Sequence, residues 1–268
     1  MDRIAGGGGG PDPVWERRHP TQPESWSFDF ATPGGALGGF VGLTIWPAPR
    51  RAWYWAALVG RHRPYLLVRD LDVPAPRSPT SREIRTDGLW ADVNCETPFD
   101  HWSLGLEAFG VALDDPGEAL GDERGDRTGL GLDLEWEAVA GITPGPAGAA
   151  TSYAQPCAVH GEILVGGGRE VETLAVDGFG WRRHAWGAAV DWFAPAAWVG
   201  GRLDGGEPYA AGGRDAAPAG ALVRAPLRLE HGARRATLER TLCRFATPAG
   251  GLGLGWSEQV VPLGPSAP

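Results

Sequence analysis

Apolar and polar side chains alternate residue by residue along several stretches of this 268-residue chain. In one stretch Trp26, Phe28 and Phe30 alternate with small or acidic residues, and the run from Leu130 to Trp136 repeats the pattern. Successive side chains point to opposite faces in an extended strand, so a period of two indicates β-strands with one buried face. Apolar residues with helical spacing are scarce. The chain is therefore predicted to be all-β and mostly antiparallel.

Turn-forming residues separate these stretches. The chain contains 42 Gly and 24 Pro without a Gly-X-Y period, which excludes collagen and favours many short elements joined by turns. Glycines inside one predicted strand, Gly38, Gly39 and Gly42, indicate tight bending or the close approach of another backbone. Many short strands with turns between them are typical of a sandwich or a barrel.

Composition along the chain suggests where its domains begin and end. Residues 1–13 are rich in Gly and Pro and are predicted to be a flexible leader. The Gly- and Pro-rich stretch 141–148 is the expected seam between two β domains. The N-terminal domain is thus predicted over residues 14–143 and the C-terminal domain over residues 144–268.

Charge and cysteine content exclude several functional classes. All 24 basic residues are Arg, so lysine chemistry is impossible. The net charge is −9 and no basic face can be recognised, so no nucleic-acid partner is expected. The 3 Cys are far apart without a CxxC, which predicts buried free thiols in a reducing compartment. Phosphate-loop, dinucleotide and zinc-protease motifs do not occur, so neither a cofactor nor a metal is predicted.

The expected location follows from hydropathy. The N-terminal residues lack the apolar core of a signal peptide, and no apolar run approaches the roughly 20 residues of a membrane helix. We expect a cytoplasmic protein without an integral membrane segment. The sequence leaves the oligomeric state open.

Tryptophan is unusually frequent, with 13 residues. Many lie on the apolar side of an alternating strand, where each buries roughly 150–250 Å². They either fill a core or form the wall of a cavity for an apolar or planar molecule. The candidate ligand-binding residues are Trp53, Trp55, Trp102, Trp186, Trp192 and Tyr209.

The segment 177–187, Asp-Gly-Phe-Gly-Trp-Arg-Arg-His-Ala-Trp-Gly, combines ionisable and aromatic residues. On a regular strand His184 and Trp186 share a face and both point inward. Arg182 and Arg183 point to opposite sides, so one can pair with an acid while the other meets solvent.

Acid catalysis in an apolar pocket is the chemistry that this region suggests. Hydration or cyclisation of an alkene begins with protonation, which needs a protonated acid and aromatic faces near the developing charge. Burial raises the pKa of a carboxyl group and keeps it protonated. Asp191 is the candidate acid, and His184 is its candidate relay or the base that activates water. The structural alternatives are a hydrogen-bonded histidine at a domain junction and an ion pair of Asp191 with Arg182 or Arg183.

The same segment resembles the Gly-x-Gly-x-Arg-Asp-His-Ser-Trp-Gly signature of lipocalin-like proteins related to carotenoid 1,2-hydratase (hydroxyneurosporene synthase) and AttH. It is more closely similar to an actinobacterial branch of that superfamily. Matching pieces over residues 24–28, 51–55, 95–102 and 198–209 extend the resemblance to most of residues 15–260. The resemblance implies two lipocalin-like antiparallel β-barrel domains in tandem, with this segment at their junction.

The resemblance also assigns residues. The His-x-Trp pair that is implicated in hydration in the carotenoid hydratases matches His184 and Trp186. The family's Asp before the histidine is Arg183 here, and its Ser after the histidine is Ala185. The family's downstream Tyr-x-Asp pair has Tyr209 as its counterpart, which two alanines follow.

The leading hypothesis is a protein that binds, and by acid catalysis hydrates or cyclises, an apolar small molecule such as an isoprenoid, a steroid or a lipid. A non-catalytic binding protein on the same fold is one alternative, and contact between His184 and Asp191 inside a cavity would distinguish the two. A carbohydrate-active jelly roll is the other, with Asp133, Glu135 and Glu137 on one strand face and Trp rings stacked on sugars. That third hypothesis fails if these carboxylates face solvent.

Overall fold

The computed structural model describes residues 11–145, 150–167, 170–188, 190–212 and 218–264. Residues 1–10 of the predicted leader and residues 146–148 of the predicted seam lie outside the described residues. The last residue of the predicted leader, Pro13, begins a 3-10 helix, Pro13–Glu16, whose first turn is capped by the side chain of Asp12.

Strands and two further 3-10 helices, Pro33–Gly35 and Pro116–Leu120, make up most of the described chain. The first strands are β1 (Glu24–Ala31), β2 (Leu37–Trp46), β3 (Arg51–Gly60), β4 (Tyr65–Pro74), β5 (Ile84–Thr86), β6 (Leu89–Thr97), β7 (His101–Leu113), β8 (Asp126–Ala138) and β9 (Thr143–Pro144). They are followed by β10 (Ala150–Gly167), β11 (Glu170–Gly187), β12 (Ala196–Leu203), β13 (Pro208–Gly212), β14 (Pro218–Arg224), β15 (Leu227–His231), β16 (Arg234–Ala246) and β17 (Leu252–Leu263). The predicted all-β, antiparallel class is confirmed.

The strands form two antiparallel sheets. The first has the order β4-β3-β2-β1-β11-β10-β8-β7-β6-β5, with β9 on β10. Its strand β4 also pairs with the end of β7, where Tyr65–Leu67 lie opposite Val111–Leu113. This pairing closes the sheet into a barrel, called here the first barrel. The second sheet has the order β13-β12-β17-β16-β14, with β15 on β16.

The change from one sheet to the other does not fall at the predicted seam between residues 143 and 144. Strands β10 and β11 lie beyond that seam but pair with β8 and β1 of the first barrel. The change falls between Gly187, which ends β11, and Ala196, which begins β12. Long-range pairings of this kind decide which sheet a strand joins. The Gly- and Pro-rich composition of residues 141–148 contains no information about them.

The interior of the first barrel is filled by the inward residues of the alternating strands. Trp26 and Phe28 of β1 pack there with Trp102 and Trp136, and all four are at most 1% exposed. Strict alternation along β1 and β11 thus divides each strand between the barrel interior and its outer face.

The outer face of the first barrel packs against the second sheet. Trp53 and Trp55 of β3 turn outward and belong to a second core with Leu227, Leu238 and Trp256. The two tryptophans therefore lie between the sheets, on the opposite side of β3 from the barrel interior.

Gly42 shows why glycines interrupt β2. A Cβ atom at this position would lie 2.2 Å from the indole ring of Trp55, a distance that no side chain tolerates. The close approach predicted from the glycines of this strand is thus found between a backbone and an indole ring.

The described part of the chain contains no helix with the length and hydropathy that a membrane crossing requires.

Candidate functional site

His184 lies inside the first barrel. The register of β1 and β11 places it opposite Trp26, and the two rings stack with centroids 5.1 Å apart. The His184 side chain is fully buried, and its Nε2 lies 2.8 Å from Oε1 of Glu24. Burial lowers the pKa of His184 and outweighs the opposing effect of Glu24. The imidazole is therefore neutral near pH 7 and donates its Nε2–H to the carboxylate.

Tyr153 of β10 extends this pair into a hydrogen-bonded chain. Its hydroxyl lies 3.3 Å from Nδ1 of His184 and 2.8 Å from Oε1 of Glu16. Burial raises the pKa of Tyr153, so the phenol keeps its proton. One hydroxyl proton can serve Glu16 or His184 at a time. The chain Glu24–His184–Tyr153–Glu16 can therefore hold or pass a proton.

Arg182 provides the positive charge of this network. It donates to Glu16 from Nη2 at 2.6 Å and from Nη1 at 3.3 Å, and to the Tyr153 hydroxyl at 3.2 Å. It also contacts the side-chain oxygen of Gln155. Arg182 and Glu16 are each 2% exposed. We call this group of buried side chains, together with His184, the histidine chamber.

The segment between the first 3-10 helix and β1 covers the histidine chamber. Arg18 donates from Nε to Oε2 of Glu24 at 2.9 Å. The His19 ring stacks on Trp186 with centroids 4.3 Å apart and an angle of 4° between the planes. The ring of Trp186, a predicted ligand-binding residue, is thus in contact with the His19 side chain of the same protein.

Arg82 forms another part of the chamber wall. Its guanidinium lies 5.1 Å from the ring centroid of Trp26 and 5.0 Å from that of Trp102. It donates to the backbone oxygen of Glu16 at 2.6 Å. Trp102, another predicted ligand-binding residue, is also in contact with Arg182, whose guanidinium is 5.3 Å from its ring.

A cavity of about 520 Å³, called here the intersheet cavity, lies on the outer face of the same strands. Two cross-strand rows from β10, β11 and β1 form its floor, namely Ser152, Ala185 and Ser25, then Ala154, Arg183 and Ser27. The facing wall includes Trp192, Trp198, Ala210, Ala211 and Val260. The volume falls within the range of typical small-molecule sites.

Four charged groups form a buried network beside this cavity. Arg183 makes a bidentate pair with Glu258, at 2.8 Å and 2.7 Å, and its guanidinium lies 4.4 Å from the Trp198 ring. Arg240 donates to Asp29 at 2.9 Å and also approaches Glu258. Burial alone would raise the pKa of Glu258, but the two guanidinium groups lower it to about 2. Glu258 is therefore an anion at neutral pH.

The predicted acid, Asp191, has a different environment from the expected one. It accepts two hydrogen bonds from NH2 of Arg234, at 2.9 Å and 2.7 Å, and one from the backbone N–H of Phe193. Burial would raise the pKa of Asp191, but the hydrogen bonds from Arg234 and Phe193 lower it. Asp191 is thus exposed and paired with Arg234 rather than buried among apolar residues, and its role as the acid stays a prediction. Asp191 lines the intersheet cavity, whereas the His184 ring lies inside the first barrel, where its carboxylate partner is Glu24.

The predicted aromatic residues do not form one common wall. Trp192 lines the intersheet cavity and donates to the hydroxyl of Thr44 at 2.8 Å. Trp53 and Trp55 pack between the sheets, and Tyr209 stacks on Phe245 at 5.4 Å. Of these four residues, only Trp192 lines the intersheet cavity. Ligand binding by the others stays a prediction.

The three carboxylates of the carbohydrate hypothesis lie on the outer face of β8. Asp133 and Glu137 are exposed, while Glu135 contacts His101. The intervening Leu134 and the neighbouring apolar residues of the strand fill the barrel instead. The jelly-roll hypothesis is therefore wrong.

Several residues of the two networks were missed from the sequence. Glu24 begins β1 on the same face as Trp26, so an acid at an inward position was the available signal. Glu16 and Glu258 carry no comparable signal. Each binds an arginine of β11 from a distant part of the chain, so the local sequence does not indicate the pair. Within the described residues, no three His, Cys, Asp or Glu side chains are grouped so that they could hold a metal ion.

Comparisons with solved structures support the fold assignment. An assigned AttH protein of Nitrosomonas europaea has a TM-score of 0.55 at 13% identity, over 95% of this chain and 97% of that one. Kievitone hydratase of Nectria haematococca has a TM-score of 0.54 at 10% identity, over 94% and 93% of the two chains. CghA in complex with Sch210972 has a TM-score of 0.51 at 11% identity, over 92% and 90%.

These neighbours belong to the lipocalin-like group of carotenoid hydratase and AttH proteins, and the chain shares their lipocalin-like all-β fold. The family model described as "Domain of unknown function (DUF7064)" matches residues 12–223. The chain belongs to this family. No curated protein sequence matches it.

Proposed function

We propose that this protein binds an apolar small molecule in the intersheet cavity. The observation that supports the proposal is a hollow of about 520 Å³ with small side chains on its floor and two indole rings on its facing wall. Sites of this size bury most of a drug-sized ligand, and they combine apolar walls with a few polar groups. The neighbour CghA, described in complex with Sch210972, is an example of a small-molecule ligand on this fold.

The charge state of the cavity favours binding over acid-catalysed hydration. Protonation of an alkene needs a carboxylic acid that still holds its proton. The two carboxyl groups that line the cavity, Glu258 and Asp191, have lowered pKa values because arginines pair with them. Neither group can donate a proton near neutral pH.

A second function, proton transfer to or from a molecule that reaches the histidine chamber, is favoured by one observation. The Tyr153 and His184 side chains lie on the barrel face of β10 and β11, opposite the intersheet cavity, and are joined in the chain that includes Glu24. A carboxylate, an imidazole and a hydroxyl in series are the arrangement used in general acid–base catalysis. A hydratase among the structural neighbours agrees with this chemistry. The cytoplasmic location and the actinobacterial branch stay predictions from the sequence.

Filling the cavity tests the binding proposal. Ala185 lies on the cavity floor, so Ala185→Trp should weaken binding of the dye Nile red by about tenfold or more, because the added indole occupies volume that the dye would fill. Thr173→Trp adds the same side chain at an exposed position of the same strand and should leave binding unchanged. Fluorescence titration measures both affinities. Equal binding by Ala185→Trp and the unmodified protein would place the dye elsewhere and contradict the proposal.

Liquid chromatography coupled to mass spectrometry tests the proton-transfer function, because it also separates isomers of equal mass. The ligand that copurifies with the protein from its source is incubated with the unmodified protein and with Tyr153→Phe. We expect the ligand to gain the mass of one water, or to isomerise, only with the unmodified protein. Recovery of unchanged ligand from both would leave binding as the function.

A further inference from the structure

We propose that the molecule held in the intersheet cavity is uncharged and carries an oxygen atom, as a ketone or a hydroxyl, that accepts hydrogen bonds on the floor beside Ser27. This inference rests on the proposed function and narrows its ligand class.

The charged groups lining the cavity are already paired. Arg183 is bidentate with Glu258, and Asp191 accepts two hydrogen bonds from Arg234. A charged ligand would have to leave water without finding a free counter-charge, and such a desolvation cost is not recovered. An uncharged ligand avoids this cost.

The floor of the cavity offers hydrogen-bond donors in excess of the acceptors that the described residues supply. Ser27 is 7% exposed, and its hydroxyl is in no side-chain hydrogen bond among the described residues. Ser25 uses its oxygen to accept from Thr44 at 2.9 Å, which leaves its own O–H as a donor. Both residues line the cavity, so an oxygen atom of a ligand could accept a hydrogen bond from their hydroxyl groups.

Arg183 adds further donors to the same place. It lies directly across from Ser27 in the register of β1 and β11. A guanidinium carries five N–H groups, and two hydrogen bonds hold Glu258. A carbonyl or hydroxyl oxygen between Ser27 and Arg183 could accept from both.

The rest of the cavity suits an apolar body. Trp198 is held in place by Arg183, and Trp192 is held by its hydrogen bond to Thr44. Val260 continues this apolar wall. Fixed indole rings present flat apolar surface at little entropic cost, which favours a flat ring system over a flexible chain.

Three matched probes of one ring system test the ligand class, with binding measured by isothermal titration calorimetry. The probes are 2-acetylnaphthalene, 2-ethylnaphthalene and 2-naphthoate. We expect the ketone to bind about fivefold more tightly than the hydrocarbon, the effect of one neutral hydrogen bond, and the carboxylate to bind most weakly. Ser27→Ala should bring the ketone and hydrocarbon affinities together and leave the hydrocarbon affinity unchanged.

Ser103→Ala is the matched control, because that hydroxyl donates to Glu96 on β6, away from the cavity. It should keep the full preference for the ketone. Tightest binding of 2-naphthoate, equal binding of ketone and hydrocarbon, or a preference that survives Ser27→Ala would overturn the inference and leave cavity binding intact. Failure of all three probes to bind would instead overturn the proposed function, and this inference with it.

Discussion

Arg183 and His184 are consecutive residues of β11, yet their side chains belong to separate networks on opposite faces of the first barrel. His184 bonds to Glu24 in the histidine chamber, whereas Arg183 pairs with Glu258 beside the intersheet cavity. The two departures from the hydratase signature, Arg183 and Ala185, both lie on the cavity face. The chain therefore matches the signature in its chamber and differs from it in the cavity where we propose that the ligand binds.

Glu24 should be essential for the stability of the histidine chamber. It is fully buried and is the carboxylate partner of both Arg18 and His184. Glu24→Gln removes the charge that compensates a buried guanidinium, so we expect the free energy of unfolding to fall by about 3–5 kcal/mol. Urea denaturation near pH 7 measures this value. The control Glu172→Gln breaks an ion pair with Arg63 on a half-exposed side chain and should cost about 0–1 kcal/mol. Equal losses in the two variants would contradict the assigned role.

Glu258 should make stability depend on acidity. Its pKa in the folded protein is about 2, below the ordinary value of 4.5. Because its pKa is lowered on folding, the ionised Glu258 side chain contributes fully to stability above pH 4.5. This contribution is lost as the pH falls from 4.5 toward about 2. The difference corresponds to about 3 kcal/mol.

The comparison with Glu258→Gln isolates this contribution. The variant should be less stable than the unmodified protein near pH 6.5, and the gap should shrink by about 3 kcal/mol near pH 2. Urea denaturation at a series of pH values gives the two curves. A Glu258→Gln curve that runs parallel to that of the unmodified protein would show that the carboxylate is not held by its arginines.

The face of a strand on which each side chain lies could be predicted from the sequence, because it depends on local geometry alone. Alternation placed Trp26 with Phe28 inside, His184 with Trp186 on one face, and Arg182 opposite Arg183, and the structure confirms each placement. The side on which a residue lies is fixed by its own strand.

The partners of those residues could not be predicted, because they depend on which strands are neighbours. The partner of His184 is Glu24, which follows from the pairing of β1 with β11. Asp191 is nearer in sequence but lies in the connection after β11, where Arg234 of the second sheet binds it. Asp191 was predicted as the acidic partner of His184 because it is close along the chain, whereas the observed partner is Glu24.

Any side chain at position 42 should lower the stability of the protein, because the Trp55 ring lies directly over Gly42. Gly42→Ala forces the indole away, and Trp55 is in edge contact with Trp192 of the cavity wall at 5.0 Å. Overpacking of this kind costs about 1–3 kcal/mol, so the free energy of unfolding should fall by that amount. Gly220→Ala is the control, since a Cβ there meets no atom within 4 Å. Its stability should be unchanged or slightly higher, and a cost at Gly220 equal to that at Gly42 would rule out the steric explanation.

Replacement by Met should lower the stability of the protein strongly at Arg182 but not at Arg82. Both guanidinium groups lie over the Trp102 ring, at 5.0 Å and 5.3 Å. Arg182 forms an ion pair with Glu16 at 2.6 Å, whereas Arg82 donates to the backbone oxygen of that residue and has no ion pair among the described residues.

Arg182→Met leaves the buried carboxylate of Glu16 without its partner, so it should lower the free energy of unfolding by about 3–5 kcal/mol. Arg82→Met replaces a buried charge by a shorter, unbranched apolar side chain, so stability should stay within about 1 kcal/mol or increase. Urea denaturation measures both variants, and near-ultraviolet circular dichroism checks that the aromatic chamber keeps its packing. A large and equal loss in both variants would mean that Arg82 also compensates a carboxylate, and the charge assignment of the chamber would be wrong.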